Sequence, residues 1–175
     1  MSILKVARMG HPVLRERARS LDRSDVRSAV VQRLIDDMID TMHEYSGVGL
    51  AAPQVHEGVR LFVALLDDDP DSKSEATAVI NPEIVPVSDD VAEGWEGCLS
   101  IPDIRGMVPR YTNIVVRGLD REGRQRELPL KGFSARVAQH ETDHLDGVLF
   151  FDRMRSMQTL TFLEEYSRYW AKDGD

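Results

Sequence analysis

The segment His140-Glu141-Thr142-Asp143-His144 has the residue types and the spacing for metal-assisted hydrolysis. On a helix, positions i and i+4 share a face, so both imidazoles can grip one cation. Glu141 projects slightly off that face, where its carboxylate can take a proton from a water on the metal. The lead-in Phe133-Ser134-Ala135-Arg136-Val137-Ala138-Gln139 holds no Pro or Gly, and Gly147 follows as a stop. The bland alternative is a surface helix with two chance histidines, and three fixed residue types in one short frame weigh against it.

Three protein ligands and an open position make a catalytic site, whereas four make a closed one. A protease pattern extends the motif as H-E-x-x-H-x-x-G-x-x-H. The chain matches through Gly147 but has Phe150 at the final position, which cannot bind metal. Glu164 or Glu165 could complete a His-His-Glu set, although 161–166 also reads as an ordinary amphipathic helix. The better third ligand is Cys98, the single cysteine of the chain. Lone cysteines are more often inert core thiols. Its setting, Glu93-Gly94-Trp95-Glu96-Gly97-Cys98-Leu99-Ser100, suits a shaped loop or strand edge instead.

A third segment, Gly47-Val48-Gly49-Leu50-Ala51-Ala52-Pro53-Gln54, is built of small residues around one amide, and alone it reads as a helix end and turn. Together, Gly47-Val48-Gly49-Leu50-Ala51-Ala52-Pro53-Gln54, Glu96-Gly97-Cys98-Leu99-Ser100 and Gln139-His140-Glu141-Thr142-Asp143-His144 resemble, in order and separation, the three signature motifs of the peptide deformylase family. The likeness extends to Gly10-His11-Pro12-Val13-Leu14, to the stretch 101–110 and to the stretch 145–153. It implies removal of the formyl group from N-formylmethionine on nascent chains, releasing formate. By the same resemblance Cys98, His140 and His144 are the metal ligands and Glu141 is the general base and acid. The Gln54 side-chain N–H and the Leu99 backbone N–H stabilise the oxyanion. Val48, Gly49 and Gly97 line the substrate, pairing with its backbone as an added strand would, with Val137 near the methionine side chain. Ligand chemistry admits zinc, cobalt, nickel or iron, and the resemblance favours Fe2+. It also makes the ribosome near its exit tunnel a partner through the C-terminal helix. Charges there are balanced, Arg153, Arg155, Arg168 and Lys172 against Asp152, Glu164, Glu165 and Asp173.

Composition agrees. A chain of 175 residues suits one domain with a hydrophobic core, 1–175. A formal net charge of −8 argues against a nucleic-acid surface and direct DNA binding. No apolar run approaches the roughly 18 residues of a membrane span, and a lone thiol fits the cytoplasm.

The elements needed to position these groups read as a single α+β unit, with antiparallel or mixed sheets around the central metal helix. Ser24-Asp25 is expected to cap an N-terminal helix running to Tyr45, with Val26, Val30, Leu34, Met38 and Met42 inward. Residues 60–66 read as a buried strand and 67–75 as a solvated acidic loop. Residues 78–87 read as a strand that Pro82 and Pro86 push to a sheet edge. Residues 113–119 and 125–130 form a hairpin, and 156–170 a closing helix. Asp143 and Asp146 are the expected carboxylate partners of the ligand histidines, with Arg105 and Arg110 available to pair with them or with substrate.

Overall fold

The computed structural model describes residues 2–67 and 75–171. Five antiparallel strands form the larger sheet in the order β1 (Gly49–Ala51), β2 (Leu61–Ala64), β3 (Thr77–Pro86), β6 (Asn113–Leu119), β7 (Gln125–Lys131). Strand residues alternate between faces, and β2 shows the consequence. Leu61 and Val63 pack with Val31, Ile35, Met38 and Met42 of helix α2 (Ala29–Glu44). Phe62 and Ala64 pack on the other face with Ala135, Ala138 and Leu145 of helix α3 (Gly132–Leu145). The sheet therefore sits between two helices, and α3, the motif helix, is buried along most of its length.

The second sheet is a long hairpin, β4 (Val91–Cys98) with β5 (Ile101–Tyr111), edged by β8 (Thr161–Phe162). Its register shifts between Glu96 and Cys98, so that Cys98 pairs with Ile101 at the tip of the hairpin. A third core of Leu14, Ile101, Val108, Leu149 and Phe150 packs around that tip and includes Cys98.

Several expectations need correction. The N-terminal helix is divided into α1 (Arg23–Val26) and α2, because Ser28 rather than Ser24 supplies the cap, accepting from Val31 N at 3.3 Å. That restart turns Val31 inward and leaves Val30 78 % exposed. Strand β3 lies in the middle of its sheet, not at an edge. The reason is a register break between Ile80 and Glu83, where Pro82 owes no ladder hydrogen bond. Asn81 sits there with φ +52° and exchanges two hydrogen bonds with the Leu21 backbone, both 2.9 Å. The closing segment is helical only as α4 (Leu163–Tyr169), preceded by a 3-10 turn and β8. The 113–119/125–130 hairpin is present as β6–β7. The acidic loop falls mainly on 68–74, outside the described residues, as do Lys172 and Asp173.

Candidate metal centre and catalytic cleft

Helix α3 ends as its sequence requires. Gly147 adopts φ +73°, its N–H donating to His144 O and the Val148 N–H to Asp143 O, a left-handed stop that glycine makes without steric cost. The preceding turn presents His140 and His144 edge to face, with ring centroids 4.9 Å apart. The hairpin tip brings Cys98 Sγ to 3.2 Å from His144 Nε2. Ligand atoms of Cys98, His140 and His144 all lie within 4.8 Å of one another, and no other such cluster occurs among the described residues. Glu164 and Glu165 instead sit on α4, paired with Arg168 at 3.1 and 3.4 Å.

The donor set fits a divalent cation. Burial pushes the Cys98 thiol up, but the adjacent His144 and His140 outweigh it and hold the group well below its usual range, favouring thiolate. Conversely, burial pulls His140 down, and Cys98 and Glu96 raise it further than that. A divalent cation held by these groups would take the place of those protons. Glu141 Oε2 is buried with no hydrogen-bond partner among the described residues, and Glu141 lines the cleft beside the cluster. Burial raises the Glu141 carboxyl to about 7 against the opposing pull of His140 and His144.

Two glycines are explained by space. A Cβ on Gly49 would overlap the Glu141 carboxylate, and one on Gly97 the Arg105 guanidinium. Gln54 is held on the 3-10 turn after β1. Its Oε1 accepts from Ala51 N at 2.9 Å, and its Nε2 donates to Ser100 Oγ at 3.1 Å and to Cys98 Sγ at 3.5 Å. The cleft above these groups, about 350 Å3, is lined by Val48, Gly49, Gly97, Leu99, Val137 and Glu141, among others. Trp95, also on its wall, packs against Tyr166 and Trp170 at 5.0 and 5.6 Å. A larger cleft of about 890 Å3 follows another face of α3 and includes neither His140, His144 nor Glu141.

One functional neighbour escaped the sequence reading. The partner of His140 is Glu96, not Asp143 or Asp146: the ring Nδ1–H donates to Glu96 Oε2 at 2.9 Å. Arg110 donates to both Glu96 oxygens at 2.9 and 3.0 Å, and Arg136 adds a bond of 2.9 Å. Burial pushes the Glu96 carboxyl up, but His140 and Arg110 hold it well below the usual carboxylate range. Asp143 pairs with Arg110 and Arg153, and Asp146 with Arg60 and more distantly Arg17. The His144 Nδ1 has no partner among the described residues. Arg105 donates to the carbonyl of Ile104 at 3.0 Å and lines the cleft. His11 and His56 meet edge to face at 4.7 Å, away from the ligand cluster.

The polypeptide deformylase family model matches residues 3–160. The chain belongs to the polypeptide deformylase family. Among the relatives, peptide deformylase 2 of Nostoc sp. is 43 % identical over 175 residues, covering 98 % of this chain and 97 % of its own length. The peptide deformylase of Salinibacter ruber is 46 % identical over 164 residues, covering 89 % and 83 %. A crystal structure of the class I type b peptide deformylase of Acinetobacter baumannii with Met-Ala-Ser bound superposes with a TM-score of 0.81 at 39 % identity, covering 88 % of this chain and all of that one. The peptide deformylase of Thermotoga maritima superposes with a TM-score of 0.81 at 38 % identity, covering 89 % and 100 %. Membership makes this chain a metal-dependent hydrolase that removes the N-terminal formyl group from newly made polypeptides.

Proposed function

We propose that Cys98, His140 and His144 hold one divalent cation, and that Glu141, Gln54 and Leu99 carry out the deformylation around it. The observation that supports this most is the convergence of the three ligand atoms within 4.8 Å beside the unpartnered Glu141 Oε2. When bound, the cation supplies a Lewis acid and lowers the pKa of a coordinated water toward neutrality. Glu141 takes the proton released from the attacking water and returns it to the departing amide nitrogen. Its carboxyl near 7 in the metal-free protein suits a group that must both accept and donate.

The Gln54 amide is held beside the sulfur by Ala51 N on its Oε1 and by its own bond to Ser100 Oγ, and the N–H that points at Cys98 Sγ turns to the oxyanion, together with the Leu99 N–H. One such donor contributes roughly 3 kcal/mol to the barrier reduction. A formyl carbon bears only hydrogen, so a close-walled cleft admits it and rejects larger acyl groups. Val48, Gly49 and Gly97 bind the peptide along the exposed edges of β1 and β4, and Val137 lies near the methionine side chain. The Met-Ala-Ser ligand of the Acinetobacter baumannii relative, a peptide beginning with methionine, supports that assignment.

The native ion in this reading is Fe2+, as the family resemblance favours. Activity is then lost in air through oxidation of iron or Cys98 and preserved by nickel exchange, whereas an air-stable enzyme carrying only zinc refutes the iron assignment. The enzyme works in the cytoplasm, where nascent chains emerge, with the ribosome as a partner through the C-terminal segment. Co-sedimentation unchanged on deletion after Ser156 rejects that contact. The activity test is formate release from a formyl-Met dipeptide. Wild type releases formate and Glu141→Ala does not. Equal rates for the two remove Glu141 from its role.

A further inference from the structure

The three ligands come from two elements, Cys98 from the β4–β5 hairpin and the histidines from α3, so something must fix hairpin to helix. Arg110 joins them. It lies near the far end of β5, opposite Ala92, and its side chain is only 5 % exposed. Its Nε and Nη2 fork onto Glu96 at 2.9 and 3.0 Å. Its Nη1 reaches Asp143 Oδ2 on α3 at 2.5 Å. Glu96 in turn accepts from His140 Nδ1 at 2.9 Å. His140 and Asp143 are i and i+3 on one helix, hence neighbours on its surface. A single guanidinium is thus tied to α3 at two adjacent points, directly through Asp143 and through Glu96 at the ligand ring.

The geometry points to Arg110 as a positioning residue that sets the ligand geometry of the cation site by locking Glu96 against His140 and the hairpin against α3. The inference rests on the reading of Cys98, His140 and His144 as ligands. Both Glu96 oxygens are occupied by the fork, so the carboxylate cannot rotate, and the His140 ring it holds cannot swing about its own axis. The Nε2 lone pair stays aimed at the space shared with Cys98 and His144. Arg136 backs the arrangement, spending further N–H groups on the carbonyls of Val108 and Ala92 at 2.7 and 2.8 Å. Arg153 closes the far end on Asp143 at 2.7 Å. Lysine at 110 keeps the charge but offers a point donor in place of the planar fork, so it cannot serve both carboxylates in this geometry.

That difference separates positioning from mere neutralisation of two buried carboxylates. The test measures metal affinity by chelator competition, the absorption spectrum of the cobalt-substituted protein, and kcat and KM with a formyl-Met dipeptide. Variants are Arg110→Lys and, keeping the fork while weakening the helix tie, Asp143→Asn. Arg110→Lys is expected to fold, to bind metal about 10- to 100-fold more weakly, to shift the cobalt bands, and to lose kcat with KM within about twofold. Asp143→Asn moves each readout in the same direction by less. Wild-type affinity and an unchanged cobalt spectrum in Arg110→Lys overturn the inference, whatever happens to thermal stability. If Arg110→Lys does not fold, the spectrum and affinity of Asp143→Asn decide alone. Failure of the ligand reading is distinguishable, because Cys98→Ala would then retain its metal.

Discussion

Gly49→Ala is the sharpest single-atom test of the catalytic cleft. The Gly49 backbone is not in the left-handed region, so alanine is conformationally acceptable and the whole effect must come from the added carbon. That carbon would fall 2.8 Å from Glu141 Cδ and 2.9 Å from its Cγ. Ordinary carbon–carbon contact begins near 3.5 Å, so the carboxylate has to retreat by roughly 0.5 to 1 Å. It has little slack, being 4 % exposed on a helix packed against β1. A displacement of about 1 Å at a catalytic group costs on the order of a hundredfold, which is roughly 2.7 kcal/mol of barrier. The expected result is a kcat for formate release about 100-fold below wild type, with stoichiometric metal and an intact fold. KM also rises if the β1 edge pairs with the peptide. Gly58→Ala is the control, since a Cβ there meets nothing within 4 Å. A Gly49→Ala enzyme within about twofold of wild type would show that the Glu141 carboxylate is not held where the geometry puts it and does not act as the base from that position.

Cys98→Ala should empty the purified protein of metal, whereas Glu164→Ala should not, because Glu164 is paired with Arg168 on the surface; metal analysis of both proteins decides between the two ligand sets. Stripping the ion with a chelator should lower the melting temperature. An ion present at 1,000 times its Kd contributes about 4 kcal/mol, which for a domain of this size is roughly 8–16 °C, and no shift would mean that the cluster binds no ion in solution. Phe62 is fully buried between the central sheet and α3, so Phe62→Ala should cost about 3–5 kcal/mol in urea unfolding; a loss below about 1 kcal/mol would contradict the packing described.

What could be read from the chain depended on how local the determining contacts are. The histidine pair was legible because a helix fixes i and i+4 on one face whatever surrounds it. The helix stop at Gly147 was legible for the same reason. Glu96 was not, since it reaches His140 across 44 residues of sequence through a hairpin whose register bulges just before Cys98. Nothing near His140 favours Glu96 over Asp143, which is three residues away and faces Arg110 instead. The N-terminal helix was misread where two caps compete within four residues. With Ser28 chosen, the inward stripe passes through Val31 rather than Val30, and adjacent valines give composition no means to choose. Pro82 misled because a proline argues for an edge strand only where the ladder is continuous, and the Asn81 bulge interrupts it.

The packing that hides Glu141 also shapes its chemistry. Gly49 lets β1 lie directly against the carboxylate, which keeps solvent from one side of it, and the helix covers the other. That burial, the largest influence on the group, lifts its carboxyl to about 7 without a metal. A divalent charge among Cys98, His140 and His144 favours the ionised form and pulls the value down again. On the proposed reading, the carboxylate would then accept a proton near neutral pH, and its desolvated surroundings would keep it basic enough to hold that proton until the amide nitrogen departs. Widening the cleft with a smaller neighbour would therefore weaken the base even if every ligand stayed in place. On that reading Gly49, which contributes no functional group, serves the chemistry of Glu141 through the space it leaves.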